Sequence, residues 1–243
     1  MKDIKYWEQQ ETYSPFAFES FEDYFDSRSE FDAFVRSITG DEEKSRFLKV
    51  GSFYKFLVKD GRFSVHGHEE TTYFDETYRF VGLVALIEYV ESSVPFKDFY
   101  LWLNKEGAFP IQDRRALNVL YERYKSQFGV MHKMVSFFLN LDDSSKQEIE
   151  TWIKVKGRAV AIDKLAKELY DIRSKFVHEA RLVVDLSGVR TVSFRPVERE
   201  NTVTSELHRE IRVPLEQVER IFERGVLLRF GYPAPASWPK VAR

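Results

Sequence analysis

Residues 73–92 read YFDETYRFVGLVALIEYVES, and this stretch decides the fold. Its apolar side chains recur at helical spacing on every side of the axis rather than along one stripe. A helix that is apolar all round is buried among other elements. We therefore predict a helix over 73–92 at the centre of a helical domain, with core residues Phe74, Tyr78, Val81, Leu83, Val84, Leu86, Ile87 and Val90.

Amphipathic patterns on both sides of this stretch predict further helices. We expect them over about 30–39, 42–58, 96–103, 111–127, 130–141, 145–155, 160–180 and 214–228. The run Ser145-Lys146-Gln147-Glu148 has the spacing of a capping box, which predicts that it opens the helix over 145–155. In the helix over 130–141, the side chains expected to face inward are Met131, Met134, Val135 and Phe138.

Two apolar runs flank Ser187-Gly188 and predict a small C-terminal β-hairpin over 181–194. Prolines after Gly231 predict an extended end of the chain. The predicted fold class is therefore mainly α. We divide the chain into an N-terminal helical extension and linker over 1–72, a helical domain over 73–230 and an extended tail over 231–243.

The composition excludes several classes of protein. Hydrophobic residues make up 43% of the 243 residues and aromatic residues 16%, which is enough apolar surface for a large core. The absence of cysteine excludes disulfides, zinc ribbons and cysteine nucleophiles. The charged N-terminal sequence lacks a signal-peptide pattern, and no apolar stretch approaches the roughly 20 residues of a membrane span. We expect a soluble, cytoplasmic protein that does not associate with membranes.

Charge is distributed unevenly along the chain, although the total of 37 basic and 39 acidic residues is nearly balanced. Residues 1–76 hold 10 basic and 17 acidic residues, whereas residues 153–243 hold 18 and 12. A basic second half suits a polyanionic ligand. The alternative is that these charges only solvate the outer faces of helices.

The helix over 160–180 contains the first candidate for chemistry. Arg173 falls near the middle of a face that is otherwise apolar, formed by Ile162, Ala166, Leu169, Ile172, Phe176 and Val177. A guanidinium keeps its charge when buried, so it needs a carboxylate or phosphate partner. Arg173 therefore either binds an anionic ligand or forms a structural ion pair with an acid such as Glu88 of the central helix.

His178 follows Arg173 by five residues, which places the two positions about 140° apart around a straight helix. The two side chains can therefore share one site only if the helix is distorted at its end or a second copy of the chain completes the site. Taken alone, a histidine at a helix C-terminus is also explained by its favourable interaction with the helix dipole.

The segment LYDIRSKFVH, residues 169–178, resembles the signature of HEPN domains, and particularly of their Apea-like branch. Residues 80–88, FVGLVALIE, resemble the central helix of that branch, and the likeness covers about 73–180. The resemblance implies a bundle of four or five helices, often homodimeric, whose active members are metal-independent ribonucleases of toxins and antiviral defence systems. Many other HEPN domains are non-catalytic modules that dimerise or bind ligands.

Transferred to this sequence, the resemblance implies that Arg173 binds the scissile phosphate and that His178 acts as general acid or base. Such a site needs no metal or cofactor, because a fixed cation balances the developing charge and a histidine titrates near neutrality. Ser174, Lys175 and Glu88 would support the site. Ser174 stands where many active members have Asn, Asp or His, and Glu179 where the branch often has glycine.

Two hypotheses for function follow. The first is a homodimeric, HEPN-type endoribonuclease that acts on RNA in defence or stress response. The second is a non-catalytic HEPN-like module that dimerises or binds a nucleotide or partner. Separately, His66 and His68 alternate along a polar segment and could bind a transition metal. Because no further ligand is identifiable, we predict a metal-free linker there.

Overall fold

The computed structural model describes residues 10–61, 72–91, 99–107, 113–152, 154–155, 158–179, 215–235 and 237–238, and these residues are mainly helical. The mainly α class predicted from the sequence is therefore confirmed. The helices are α1 (Gln10–Phe21), α2 (Arg28–Ser37), α3 (Asp41–Tyr54), α4 (Thr72–Val90), α5 (Phe99–Lys105), α6 (Arg114–Phe128), α7 (Val130–Leu139), α8 (Asp143–Trp152), α9 (Ile162–Glu179) and α10 (Leu215–Arg229).

Three short elements complete the described part of the chain. A 3-10 turn over Glu22–Tyr24 follows α1, and a π-helical turn over Lys55–Lys59 prolongs α3. Strands β1 (Lys154–Val155) and β2 (Arg158–Ala159) pair antiparallel between α8 and α9. The hairpin predicted over 181–194 and the histidine-containing linker lie outside the described residues, so both stay predictions.

Helix α4 occupies the centre, as its sequence predicts. It contacts α3, α7, α9 and α10, and it buries Phe80, Leu83, Val84, Leu86, Ile87 and Val90. One side of the helix nevertheless faces solvent, because Tyr78, which we expected in the core, is 43% exposed. Tyr89 lies on α4 as well and is 38% exposed. The tyrosine hydroxyl allows the ring to lie at a surface without the full cost of exposing an apolar side chain.

A single apolar core runs from the first helix to the end of the described chain. The ring of Phe47 on α3 packs against Phe21 on α1 and against Phe230, with centroids 5.4 and 5.3 Å away. Tyr54 similarly packs against Phe222 of α10 at 4.9 Å. Residues 10–61 therefore share one core with α4 and with α7 to α10.

Local hydrogen bonds explain where several helices begin. Ser27 and Asp113 precede α2 and α6, and each accepts a hydrogen bond from the backbone three residues later. At α8 the predicted capping box is wrong, because Asp142 takes that role and accepts from the backbone N–H of Ser145 at 2.9 Å. Ser145 lies inside the helix, where its hydroxyl donates to Asp142. A carboxylate is a favoured cap because it also interacts well with the positive helix end.

The C-terminal tail and α7 differ in part from expectation. Residues 232–235 have no regular structure, and Trp238 is buried, stacks on Tyr232 and donates to Asp142 at 3.0 Å. In α7, Met134 and Phe138 are buried as expected and Val135 is partly buried. Met131, also predicted to face inward, is 38% exposed because it begins a helix whose first turn lies at the surface.

Candidate functional site

Arg173 lies on α9 at the edge of a buried apolar face. Ile162, Ala166, Leu169 and Ile172 are buried, as the helical wheel predicts, and Leu165 is buried as well, so α9 is fixed against its neighbours α4, α7 and α8. The side chain of Arg173 keeps 18% of its surface exposed. Val177 is 45% exposed, which corrects the prediction that the apolar face continues to the end of the helix.

Glu88 on α4 is the ionic partner of Arg173. Nη2 of Arg173 lies 3.6 Å from Oε1 of Glu88, whose side chain is 21% exposed. The pairing that the wheel offered as the structural explanation is therefore present. At 3.6 Å the contact is an ion pair rather than a hydrogen bond, and Nε of Arg173 is buried without an acceptor among the described residues. The guanidinium thus retains unused donor capacity.

The surroundings of Glu88 make it costly to ionise. Burial raises the pKa of its carboxyl group, while the positive charges of Arg173 and Lys133 lower it in part. Lys133 belongs to α7, so three helices contribute charged groups to this point. We refer to Glu88, Arg173 and Lys133 as the α4–α7–α9 charge cluster.

A second mostly buried acid, Glu91, directly follows the last residue of α4. Oε1 of Glu91 lies 3.9 Å from Nε of Arg229 on α10, and Oε2 accepts a 3.3 Å hydrogen bond from the Ser136 hydroxyl on α7. Burial raises the pKa of Glu91 as well, and the charges of Arg229, His132 and Lys133 oppose this effect. Two carboxylates, one on α4 and one directly after its end, are therefore balanced by cations from α7, α9 and α10.

The remaining predicted site residues also lie on α9. Ser174 is partly exposed beside Arg173, whereas the side chains of Lys175 and His178 lie outside the described residues. The helix is continuous from Ile162 to Glu179, so positions 173 and 178 are about 140° apart around its axis. The backbone of one chain therefore does not bring Arg173 and His178 onto one face. Of the two alternatives, a distorted helix end is not seen within Ile162–Glu179, and completion of the site by a second copy stays a prediction.

Sequence reasoning missed a buried ionic network on α10. The carboxylate of Glu223 is 4% exposed; it accepts hydrogen bonds from the hydroxyls of Tyr24 and Tyr54, both at 2.8 Å, and lies 3.1 Å from Nζ of Lys59. The available signal was the presence of charged residues at positions of α10 that its apolar periodicity assigns to the core. The partners of Glu223 are 164 to 199 positions away, so the sequence pattern could not identify them.

Glu219 and Arg224 extend this network along α10. Glu219 pairs with Arg79 of α4, and burial raises the pKa of its carboxyl group to about 7, although the charge of Arg79 lowers it in part. Arg224 pairs with Glu148 of α8, and its guanidinium lies 5.6 Å from the ring centroid of Trp238. These groups are buried between helices, so their evident role is to hold α10 against the rest of the fold.

Neither a metal centre nor a membrane span is seen in the described ranges. There, no three His, Asp or Glu side chains are close enough to hold a metal ion. Nor does any helix in the described part of the chain have the length and apolar character needed to cross a membrane. His66 and His68 lie outside these ranges.

Comparisons with protein-family models, with curated proteins and with solved structures find no match for this chain. The resemblance to HEPN domains therefore depends on the residues quoted from the sequence alone.

Proposed function

We propose that the protein is a metal-independent endoribonuclease of HEPN type, with Arg173 and His178 as its catalytic residues. The observation that supports the proposal most is the environment of the Arg173 guanidinium. Its one ion pair among the described residues is long and is made by Nη2, and 18% of the Arg173 side chain remains exposed. A guanidinium held in this way has donors left for a phosphate. The helix over 160–180 also carries the LYDIRSKFVH run that resembles the HEPN signature.

In this reaction the 2′-oxygen of RNA attacks the adjacent phosphorus while the bond to the 5′-oxygen of the next nucleotide breaks. A general base removes the proton of the 2′-hydroxyl, and a general acid protonates the leaving 5′-oxygen. The products are a 2′,3′-cyclic phosphate and a 5′-hydroxyl. Arg173 neutralises the charge on the phosphoryl oxygens, and His178 transfers a proton. Glu88 acts as a positioning residue, because its carboxylate fixes the direction of the Arg173 guanidinium.

The site is assembled by two copies of the chain. Because α9 is continuous, Arg173 and His178 of one chain leave the helix about 140° apart. A two-fold axis near the end of α9 would bring Arg173 of one protomer to His178 of the other. Light scattering at micromolar concentration should therefore give the mass of a dimer, and a monomer would contradict this arrangement.

The cleavage test uses purified protein, labelled single-stranded RNA and EDTA. We expect cleavage with cyclic-phosphate ends, no cleavage of DNA of the same sequence, and loss of cleavage in Arg173→Ala and His178→Ala. His132→Ala, which removes an exposed histidine of α7, is the matched control and should cleave like the wild type. Cleavage that persists in His178→Ala would exclude this site. The HEPN resemblance also leads us to propose a cytoplasmic role in defence, so expression of the wild type should arrest growth and expression of His178→Ala should not.

The ion pair itself favours a second candidate function. Arg173 is more than four-fifths buried and paired with Glu88 within one chain, as expected of a structural arginine. In that case the protein is a non-catalytic HEPN-like module that dimerises or binds a nucleotide or partner. Absence of cleavage across a broad panel of single-stranded and looped RNAs, in protein shown to be folded, would favour this candidate.

A further inference from the structure

Helices α5 and α6 form a hairpin that is held together by aromatic rings. The ring centroid of Phe99 lies 5.3 Å from that of Tyr121 and 5.2 Å from that of Tyr124, and Trp102 lies 5.7 Å from Tyr124. Trp102 and Leu103 are buried, but no residue of α6 is. Among the described elements, α5 and α7 are the main neighbours of α6, so this helix presents most of its surface to solvent.

One line of side chains along α6 combines two cations, an amide and an aromatic ring. Arg114, Asn118, Tyr121 and Lys125 follow each other at spacings of four, three and four residues, which places them on one side of the helix. All four are exposed, and the line is about 16 Å long at 1.5 Å per residue. We call these four residues the α6 stripe.

The aromatic ring of the stripe lies among cations. Tyr121 is 44% exposed, and Nζ of Lys125 lies 5.0 Å from its ring centroid. Arg114, in the first turn of α6, makes no ion pair within the described residues. Lys125 pairs with Glu122, but both side chains are about half exposed or more, so that pair is weak and a phosphate can replace it.

Other exposed rings and cations lie on the same hairpin. Tyr100 of α5 is 63% exposed and its ring lies 5.8 Å from that of Phe99, which in turn contacts Tyr121. The guanidinium of Arg123 lies 5.2 Å from the ring centroid of Trp102, with its own side chain 50% exposed. The described residues of the hairpin hold five basic and three acidic side chains, whereas the whole chain is slightly acidic.

This arrangement matches the chemistry of an unpaired nucleic-acid strand. An exposed ring offers a face on which a base can stack, flanking cations neutralise phosphates, and an amide can hydrogen-bond a base edge. A length of about 16 Å accommodates a few nucleotides. A duplex fits less well, because its bases are stacked on each other and cannot cover the ring. A protein partner is disfavoured because a cation stands at each end of the stripe, on either side of the ring.

We propose that the α6 stripe binds single-stranded nucleic acid, with a base stacked on Tyr121 and phosphates held by Arg114 and Lys125. The interaction needs only bases and phosphates, so it extends to DNA and does not require the protein to cleave RNA. It therefore goes beyond the proposed function.

The test measures binding of the full-length protein to a labelled ten-nucleotide DNA strand by fluorescence anisotropy. DNA lacks the 2′-hydroxyl, so binding is measured without the proposed cleavage. Tyr121→Ala should weaken binding about tenfold, whereas Tyr121→Phe, which keeps the ring, should bind like the wild type. Arg114→Gln should weaken binding and reduce its dependence on salt concentration. Tyr89→Ala removes an equally exposed tyrosine of α4 and serves as the matched control.

Unchanged affinity in Tyr121→Ala and Arg114→Gln, or an equal loss in Tyr89→Ala, would overturn the proposal. So would light scattering that shows Tyr121→Ala converting a dimer into monomers, because the stripe would then be an interface between two copies. Failure of RNA cleavage with intact DNA binding would contradict only the proposed ribonuclease, and loss of neither activity in Tyr121→Ala would contradict only the stripe.

Discussion

The hydroxyl of Tyr54 donates a 2.8 Å hydrogen bond to Oε1 of Glu223, joining α3 to a residue 169 positions later on α10. Tyr24 donates to the other oxygen of the same carboxylate. Burial, together with the negative charge of Glu223, raises the pKa of both tyrosines well above the usual value of 10, so they remain protonated donors. One buried carboxylate therefore ties three parts of the fold together.

Tyr54→Phe should lower the free energy of unfolding by about 1–2 kcal/mol, because it removes one of the donors that satisfy a buried charge. Glu223→Ala should cost more, about 3 kcal/mol, since it removes the acceptor of two buried hydroxyls and the carboxylate that pairs with Lys59. Urea denaturation measures both values. Tyr89→Phe, at an exposed position of α4, should change the free energy by less than about 0.5 kcal/mol. Equal effects at Tyr54 and Tyr89 would contradict the role given to Glu223.

The pH dependence of the free energy of unfolding should reveal the titration of Glu219. Burial raises the pKa of this carboxyl group in the folded protein to about 7, against an ordinary value of 4.5. The folded state then binds a proton more tightly than the unfolded state, so Glu219 contributes most to stability below pH 4.5 and this contribution is lost as the pH rises to 7. The full shift corresponds to about 3 kcal/mol.

Glu219→Gln provides the measurement, because the amide is neutral at every pH. Unfolding free energies of wild type and variant, taken by urea denaturation between pH 4.5 and 7.5, should converge or cross as the wild type loses its contribution. Glu216→Gln, at an exposed position of the same helix, should follow the wild-type curve. Parallel curves for wild type and Glu219→Gln would show that the pair with Arg79 keeps Glu219 ionised throughout.

The sequence predicted those features that depend on local spacing. The apolar spacing along residues 73–92 identified α4 as the central helix, and the wheel of the helix over 160–180 led to the Arg173–Glu88 pair. The Glu223 network could not be predicted, because its partners meet only when α3 and α10 pack together. The cap of α8 was misplaced by three residues, since Asp142 and Ser145 are both favoured caps and only the observed hydrogen bonds distinguish them.

Glycine substitutions should distinguish tight helix contacts from open ones. A Cβ at Gly225 of α10 would clash with the buried ring of Phe137, and a Cβ at Gly51 of α3 would lie 2.7 Å from that of Ala17. Gly225→Ala and Gly51→Ala should therefore each destabilise by about 1–3 kcal/mol. Gly82→Ala on α4 is the control, because its nearest neighbour would be 3.5 Å away. Alanine favours a helix, so that variant should melt at the same or a higher temperature.

Asp142 should contribute more to the stability of the fold than its acidic neighbour Asp143. Burial raises the pKa of Asp142, but hydrogen bonds from Ser144, Ser145 and Trp238 outweigh this effect and lower it overall. Asp142→Ala should cost about 1–2 kcal/mol, because it uncaps α8 and releases the indole of Trp238. Asp143→Ala, whose side chain is 99% exposed, should be neutral within about 0.5 kcal/mol. Thermal denaturation followed by circular dichroism compares the two variants, and equal losses would contradict the capping role of Asp142.

The two candidate functions predict different behaviour when the Arg173–Glu88 pair is removed. Arg173→Met and Glu88→Met should each destabilise by about 1–2 kcal/mol, because each removes the opposite charge that faces a mostly buried ionic group. The double variant should recover much of that loss, since two packed apolar side chains replace an ion pair that is costly to desolvate. Urea denaturation of the four proteins gives the coupling energy.

Cleavage assays on the same four proteins then assign the role of the pair. If Arg173 binds the scissile phosphate, both variants that lack it should be inactive even where stability is restored. Glu88→Met alone should lower kcat more than it changes KM, because the guanidinium of Arg173 remains but its orientation is no longer fixed by the Glu88 carboxylate. A double variant that is stable and still cleaves RNA would exclude Arg173 as a catalytic residue. Wild-type protein that cleaves no RNA, with a double variant that dimerises normally, would leave the pair as a structural contact between α4 and α9.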